Sequence, residues 1–367
     1  MSAIQHSARS GPLRGPPAGA GRATTMTSTM TAVVQDRYGP APEHLLRSAQ
    51  IDLPSVGDDE VLVRVRAASV DRGTWHIMAG RPSPIRAAGF GLRRPRYANP
   101  GRNLAGTVEA VGAAVTGFAP GDEVYGTGTS TFAQYAAARA DRLAPKPANL
   151  SFDQAGAVPV SGLTALQAVR DHGRVRPGDK VLIIGASGGV GSFAVQIARA
   201  TGADVAGVCS TGKLEMVRAL GADPVVDYAH EDFVDSGPFD VVLDIGGNAP
   251  LSRLRRALTP RGRLVIVGGE TDGRWLGGSD RQLRAKGLSP FVGQHLGTFV
   301  ATENAADLLT LRDLVEGGKL APVIDRTYPL ADVAAAIRYL LEGKARGKIV
   351  VSVSGGDAQP PGPRSTR

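Results

Sequence analysis

The stretch Gly185-Ala186-Ser187-Gly188-Gly189-Val190-Gly191 limits what this chain can fold into more than any other part of it. It follows Val181-Leu182-Ile183-Ile184, a continuous apolar run of the kind that a parallel strand buried on both faces requires. After it, residues 191–201 carry Val195, Ile197 and Ala198 at helical spacing. A strand, a glycine turn and a helix in that order open a βαβ unit. The glycines have separate tasks there: Gly185 permits the tight turn, Gly188 lets a pyrophosphate approach the backbone, and Gly191 lets the helix pack close to the sheet. The helix N-terminus offers unpaired N–H groups and the positive end of its dipole to the phosphates. Ser187, Gly189 and Val190 complete the cradle. A glycine triplet alone can be a purely structural turn, but inside a βαβ unit it points to dinucleotide binding.

The rest of the second half fits that unit. Strand-like runs recur at 204–209, 224–226, 240–245 and 263–267, with helical patterns at 213–220 and 251–258 between them. Such alternation predicts right-handed crossovers and a parallel sheet with helices on both faces. From Thr31 to about Asn149 the texture differs: short strands, among them 61–66, 105–111 and 123–125, are broken by Gly, Pro and Asp turns. That spacing predicts a mostly antiparallel β domain or a partly open barrel. Helices at 308–315 and 331–341 and a strand at 348–353 end the patterned region.

The end of the second parallel strand discriminates between nicotinamide cofactors. It reads Cys209-Ser210-Thr211-Gly212-Lys213, with hydroxyls and a cation but no acid to accept from a ribose 2′-OH. NADPH is therefore favoured over NADH, the alternative being that Lys213 merely begins a helix. Cys209, the single cysteine, excludes an intramolecular disulfide framework and any four-thiolate zinc site, and suits a small buried strand position.

Half of the formal charge of +8 lies in the two ends: residues 1–29 hold Arg9, Arg14 and Arg22 without an acid, and residues 354–367 hold Arg364 and Arg367 against Asp357. The body is thus only mildly basic, and no nucleic-acid partner is expected. With 42% hydrophobic and 21% charged residues the 367-residue chain is not broadly disordered, and no run of 18 apolar residues exists to span a membrane. Residues 1–29 are expected to be a disordered tail. They are Arg-rich like a transit peptide, but Gly11, Pro12, Pro16 and Pro17 oppose its amphipathic helix, and no apolar signal core is present. Met26 and Met30 are alternative starts, and a cytoplasmic location is expected.

Taken together, Ala67-Ala68-Ser69, the run 105–112, Pro120-Gly121-Asp122-Glu123-Val124, Gly162-Leu163-Thr164-Ala165, the phosphate loop and Gly347-Lys348 resemble the medium-chain dehydrogenase/reductase superfamily, on its zinc-free, quinone-oxidoreductase-like side. The resemblance covers roughly residues 30–353. It implies an α/β fold in which a Rossmann doubly wound parallel sheet (157–296) is inserted into a GroES-like, mostly β catalytic domain (30–156 and 297–353), with a C-terminal tail at 354–367 and the active site in the cleft. By position, Thr164 resembles a contact to the nicotinamide-side phosphate, and Ser210, Lys213 and Tyr228 resemble the adenosine-phosphate pocket. Gly246, Asn248, Gly268 and Gly269 match turns lining the nicotinamide ribose and ring. Phe291 and Val292 resemble the segment holding the carboxamide, and Lys348 lies where the returning chain can touch cofactor. A homodimer is implied as well.

Zinc members of the superfamily use Cys, His and carboxylate ligands that this chain lacks; His76 and His295 have no companions at ligand spacing. The implied activity is zinc-independent hydride transfer from NADPH to a quinone or an α,β-unsaturated carbonyl, with the cleft lined by Ser69, Asp71, Trp75, Tyr97 and Tyr125. The alternatives are a zinc-independent alcohol or aldehyde reductase and a non-catalytic NADPH-binding sensor or structural protein. A short-chain dehydrogenase is excluded, since no tyrosine has Lys four residues on. Three departures stand out. Asp71 and Thr74 occupy the places of a common Asn-x-x-Asp pair, and Asn103 replaces an Asp. Residues 81–102 carry six arginines and no acid, either a solvated loop or an attractor for an anion.

Overall fold

Strand β8 (Lys180–Ile184) carries apolar side chains on both faces, and each face is covered. Val181 and Ile183 point into one cluster with Phe193, Val195 and Leu243, while Leu182 points into another with Val242, Leu254 and Leu264. The computed structural model describes residues 29–268 and 279–353. Around β8 lie β9 (Asp204–Cys209), β10 (Val225–Asp227), β11 (Phe239–Asp244), β12 (Leu258–Ile266) and β13 (His295–Thr298), all parallel, in the order β10-β9-β8-β11-β12-β13. The winding reverses between β8 and β11, which opens a crevice at the carboxyl ends of those strands, where doubly wound folds bind ligands.

The other sheet is built on β3 (Glu60–Val70), an eleven-residue strand whose alternating Val61, Val63 and Val65 are buried. It pairs antiparallel with β4 (Asn103–Val111), β6 (Tyr135–Arg139) and β15 (Lys348–Ser352). Strands β5 (Glu123–Thr127), β7 (Leu143–Pro145) and β14 (Ile324–Pro329) complete it, and β1 (Thr29–Val34) with β2 (Arg47–Asp52) forms a separate antiparallel ribbon. The C-terminal strand thus returns to the first domain, and the parallel sheet is an insertion, as the Rossmann and GroES-like resemblance implies.

Helices α2 (Phe152–Ala157) and α3 (Pro159–Gln167) carry the chain across the junction, α1 (Arg72–Ala79) follows β3, and α4 (Gly189–Ala200) follows β8. Helices α5 (Leu214–Ala219), α6 (Leu251–Arg256), α7 (Ser279–Leu288), α8 (Ala305–Glu316) and α9 (Val333–Leu341) complete the set among the described residues.

Three differences from the sequence reading stand out. Strand β13 reads His-Leu-Gly-Thr, four residues without alternation, so the sequence offers no strand signal; the sheet runs two residues past the expected boundary at 296. Strand β14, Ile-Asp-Arg-Thr-Tyr-Pro, has both faces partly exposed and no apolar period. Thr29, placed in the expected tail, begins β1.

Leu243 is fully buried on β11. Leu243→Ala should lower unfolding stability by about 2–5 kcal/mol, read from the denaturant midpoint at unchanged slope; an unshifted midpoint would contradict the packing of β11 described above.

Candidate active site

The phosphate loop is shaped by what its glycines keep out. Gly185 has φ of +84°, and a side chain there would approach Gly246 N to 2.8 Å. A Cβ on Gly191 would sit 2.1 Å from the Gly185 carbonyl oxygen, so α4 starts directly against the turn. A Cβ on Gly188, by contrast, would meet only the Gly185 oxygen, at 3.4 Å. The loop is closed on the inside and open on the side facing the first N–H groups of α4, which have no partner within the helix. Ser187 uses its carbonyl to accept from Gly347 N at 2.9 Å, so the return strand caps the loop.

Next to Gly347, Lys348 is only 1% exposed. Its Nζ donates to Ser161 Oγ at 3.0 Å and to the Val70 carbonyl at 3.4 Å, and its Cδ lies 3.1 Å from where a Gly189 side chain would begin. Burial pushes the ammonium below the ordinary lysine range, and the Asp71 charge opposes this more weakly. Lys348 is thus a buried cation bonded only to neutral oxygens, directly against the glycine loop.

The unusual residues of the cleft form one network. Asp71 is the N-cap of α1: its Oδ1 accepts from Thr74 N at 3.0 Å, and its own N–H donates to Thr74 Oγ1 at 3.2 Å. Asn103, fully buried, donates from Nδ2 to Asp71 Oδ2 at 2.9 Å and to the Ser69 carbonyl at 3.2 Å, and accepts from Val160 N at 2.8 Å. Asp71 and Asn103, two of the departures noted in the sequence, are thus bonded to each other.

The other cleft candidates divide. Tyr125 does not line the cleft: it is 0% exposed, its hydroxyl donates to the Leu308 carbonyl, and burial raises its pKa. Ser69 is likewise internal, donating to the Gly156 carbonyl at 2.9 Å. Trp75 is half-buried and donates to the Pro40 carbonyl at 3.4 Å, while Tyr97 is half-buried with its ring edge-on to Phe90. His76 bonds the Arg81 carbonyl, and burial lowers its pKa, which favours the neutral ring. Within the basic loop, Arg86 donates to the Gly80 carbonyl, and Arg102 with Arg142 clamps Glu303. Arg93 and Arg94 are exposed. Among the described residues, no group of three or more His, Cys, Asp or Glu side chains is placed to hold a metal ion.

On the cofactor side, Thr164 donates to the Val160 carbonyl within α3. Ser210 precedes the turn after β9, and Tyr228 is 63% exposed just beyond β10. Gly246 and Asn248 follow β11 and Gly268 follows β12, all at the carboxyl edge of the sheet; Gly269 lies outside the described residues. One residue is more engaged than its sequence suggests, and one expectation needs correction. Lys213 does not offer an unengaged cation, because its Nζ donates to the carbonyls of Gly343 and Ala345 at 3.0 and 2.8 Å. Phe291 and Val292 precede β13 and so lie at its amino end, on the edge of the sheet opposite the phosphate loop. The segment at the correct edge is Phe299-Val300, after β13. Asp244 and Arg281 were not anticipated either: the buried Asp244 pairs with Arg281 at 2.6 Å, and Arg281 also donates to the carbonyls of Ala249 and Gly268, tying together the turns after β11 and β12. The acid at the end of a buried strand was the available signal.

The family model for an alcohol dehydrogenase GroES-like domain matches residues 57–148, and that for a zinc-binding dehydrogenase matches residues 220–351. The 2-methylene-furan-3-one reductase of Solanum lycopersicum is 32% identical over 342 residues, covering 89% of this chain and 80% of the relative. A mitochondrial NAD(P)H oxidoreductase of Homo sapiens is 32% identical over 368 residues, covering 89% and 90%. The solved quinone oxidoreductase of Coxiella burnetii superposes with a TM-score of 0.76 at 28% identity, over 89% of this chain and all of that one.

The two loop glycines give opposite expectations. Gly191→Ala should lower Tm and abolish cofactor binding together, because its Cβ collides with backbone. Gly188→Ala should keep Tm within a degree or so of the parent yet weaken cofactor binding by about tenfold or more, since its methyl projects into the phosphate space. Thermal melts and fluorescence titration with NADPH read both; equal behaviour of the two variants would contradict the open and closed sides assigned here.

Proposed function

The chain belongs to the medium-chain dehydrogenase/reductase superfamily, in its quinone-oxidoreductase-like branch, and from that premise we propose that it passes hydride from NADPH to a quinone or an α,β-unsaturated carbonyl without zinc. It is an oxidoreductase that uses a nicotinamide cofactor. The observation that carries the cofactor reading is the buried Lys348 ammonium beside the glycine cradle of α4. A pyrophosphate fits there: the open side of Gly188, the first N–H groups of α4 and Lys348 supply space, donors and charge. When bound, the nicotinamide supplies the hydride.

The chain's own residues bind and orient. Asn103 holds the Asp71 carboxylate, Asp71 fixes the first turn of α1, and Asp71 stands close enough to Lys348 to favour its charged form. Trp75 and Tyr97 remain the aromatic candidates for the substrate side. Support for a zinc-free reaction is the donor chemistry: the single cysteine is buried on β9, and among the described residues no group of three His, Cys, Asp or Glu side chains converges on one point. Support for NADPH is the turn at 210–213, which carries no acid, while the nearby Asp227 carboxylate is occupied by Thr211, His230 and Ala229 N.

A homodimer formed at β13 is part of the reading. That strand is the edge of the parallel sheet, and Phe291 and Val300 on either side of it are 83% and 91% exposed. No helix among the described residues is long and apolar enough to cross a membrane, and a cytoplasmic location is proposed.

The first test follows NADPH and NADH consumption against quinones, enones, aldehydes and ketones with a chelator present. Quinones or enones should be reduced, faster with NADPH and equally with chelator. Turnover of aldehydes and ketones alone would establish the alcohol or aldehyde reductase instead, and NADPH binding without turnover would make the protein a non-catalytic binder.

A second test uses pH. The free protein holds Lys348 below the usual lysine pKa, and a bound anion favours the charged form and raises it. Binding then takes up a proton between the two values, so NADPH affinity should fall as pH rises through that interval, by up to about tenfold per pH unit. Lys348→Met should bind weakly with a flat profile; an unchanged slope in that variant would assign the proton elsewhere.

A further inference from the structure

The tip of the Arg-rich loop between α1 and β4 takes no part in the contacts described above. The loop has no acid between residues 81 and 102, and two of its six arginines are engaged inside the protein. Arg86 lies over the Tyr38 ring and donates to the Gly80 carbonyl, and Arg102 pairs with Glu303. Arg93, Arg94 and Arg96 are exposed and have no carboxylate partner among the described residues. Leu92, immediately before them, is 71% exposed, although a leucine gains by leaving water. The tip is nevertheless an ordered turn. Arg96 N donates to the Phe90 carbonyl at 2.8 Å, and the Tyr38 hydroxyl shares its proton between the carbonyls of Phe90 and Gly91, at 2.6 and 2.7 Å. Gly91 has φ of +103°, and a Cβ there would meet the Arg94 carbonyl oxygen at 2.1 Å, so the turn closes only with glycine. The backbone therefore holds an aliphatic side chain and three cations out to solvent together.

We propose that the turn at 92–96 docks the protein onto an anionic lipid surface, with Leu92 entering the headgroup layer and Arg93, Arg94 and Arg96 pairing with lipid phosphates and carboxylates. A guanidinium is weakly hydrated and donates forked hydrogen bonds to phosphate, which suits it to that layer. Single-stranded nucleic acid is held by stacking on exposed aromatic rings, whereas the exposed apolar side chain at this tip is aliphatic. An acidic protein would satisfy the charges, but one projecting leucine buries little area against a protein face. Both ends of the loop lead to the cleft: it leaves α1, capped by Asp71, and returns to β4 at Asn103, which bonds that Asp71. Docking here therefore brings a lipid-dissolved acceptor towards the substrate side. That use rests on the quinone reading above; the docking itself does not.

The test floats full-length protein with vesicles of phosphatidylcholine, alone or with about 30% phosphatidylserine. The parent should bind only the anionic vesicles and be largely released when ionic strength rises from about 0.1 to about 0.5 M. Replacing Arg93, Arg94 and Arg96 together by Ala should weaken binding by about a hundredfold, and Leu92→Ala by about tenfold, with Tm and NADPH affinity unchanged. Replacing Arg9, Arg14 and Arg22 by Ala removes the basic run near the N-terminus and should leave vesicle binding within about twofold of the parent. The inference fails if the parent does not float, if the variant lacking the three loop arginines floats as the parent does, or if the N-terminal variant alone loses binding. It fails as well if duplex DNA strips the parent from the vesicles, which would make the turn a nucleic-acid contact. Turnover is read separately. Reduction of a water-soluble quinone without vesicle binding would overturn the docking and leave the proposed function standing; vesicle binding without reduction of any quinone or enone would do the reverse.

Discussion

The hydrogen bond from Gly347 N to the Ser187 carbonyl ties the last strand of one domain to the phosphate loop of the other, and the site is organised around it. Gly347 has φ of +87°, and a Cβ there would sit 2.4 Å from the Val323 carbonyl oxygen, so the chain can pass this point only as glycine. Beyond it, Lys348 enters the interior and β15 pairs with β3, with Val350 opposite Ser69. The sheet register thus determines where the buried cation lies relative to the glycine cradle. A cation in that position has lost most of its hydration and has recovered two neutral hydrogen-bond partners, with the Asp71 charge acting on it from nearby.

A second ordering principle is the reuse of backbone groups as partners for charges that would otherwise be costly. Lys213 ends on two carbonyls, Arg281 on two carbonyls and the buried Asp244, and Asp71 on an α1 N–H and the Asn103 amide. Each of these side chains closes a turn at the cleft or at the carboxyl edge of the parallel sheet. The polar groups there act as braces for the loops around the cleft, and each charge is met by local hydrogen-bond partners. The Asp71–Asn103 pair is understandable in this light, since it supplies one acceptor and one donor across the gap between α1 and β4.

Much of the site was legible because glycine and buried-strand patterns are local. The strand at 180–184, the turn at 185–191 and the helix after it followed from the sequence nearly residue for residue, and the antiparallel strands near 61 and 105 followed from alternation. What was missed depended on distant partners. Tyr125 looks like a polar aromatic available to substrate, yet the Leu308 carbonyl, far away in sequence, accepts its hydroxyl proton inside the core. Phe291 and Val292 resemble the carboxamide segment in sequence, but β13 is too short to announce itself, and the sequence gives no sign of where the final parallel strand runs.

The sequence by itself determined the glycine cradle, the absence of an acid after the second parallel strand and the lack of thiolate ligands, because these depend on residue type and near-neighbour spacing. Only the tertiary structure decided which charges are engaged. Lys213 and Lys348 are both single lysines beside glycines in the sequence, but folding gives one of them carbonyl partners from another domain and buries the other against the phosphate loop. The physical reason is that the state of a charge depends on desolvation and on partners brought together by sheet register and domain return, and neither quantity has a local signature in the chain.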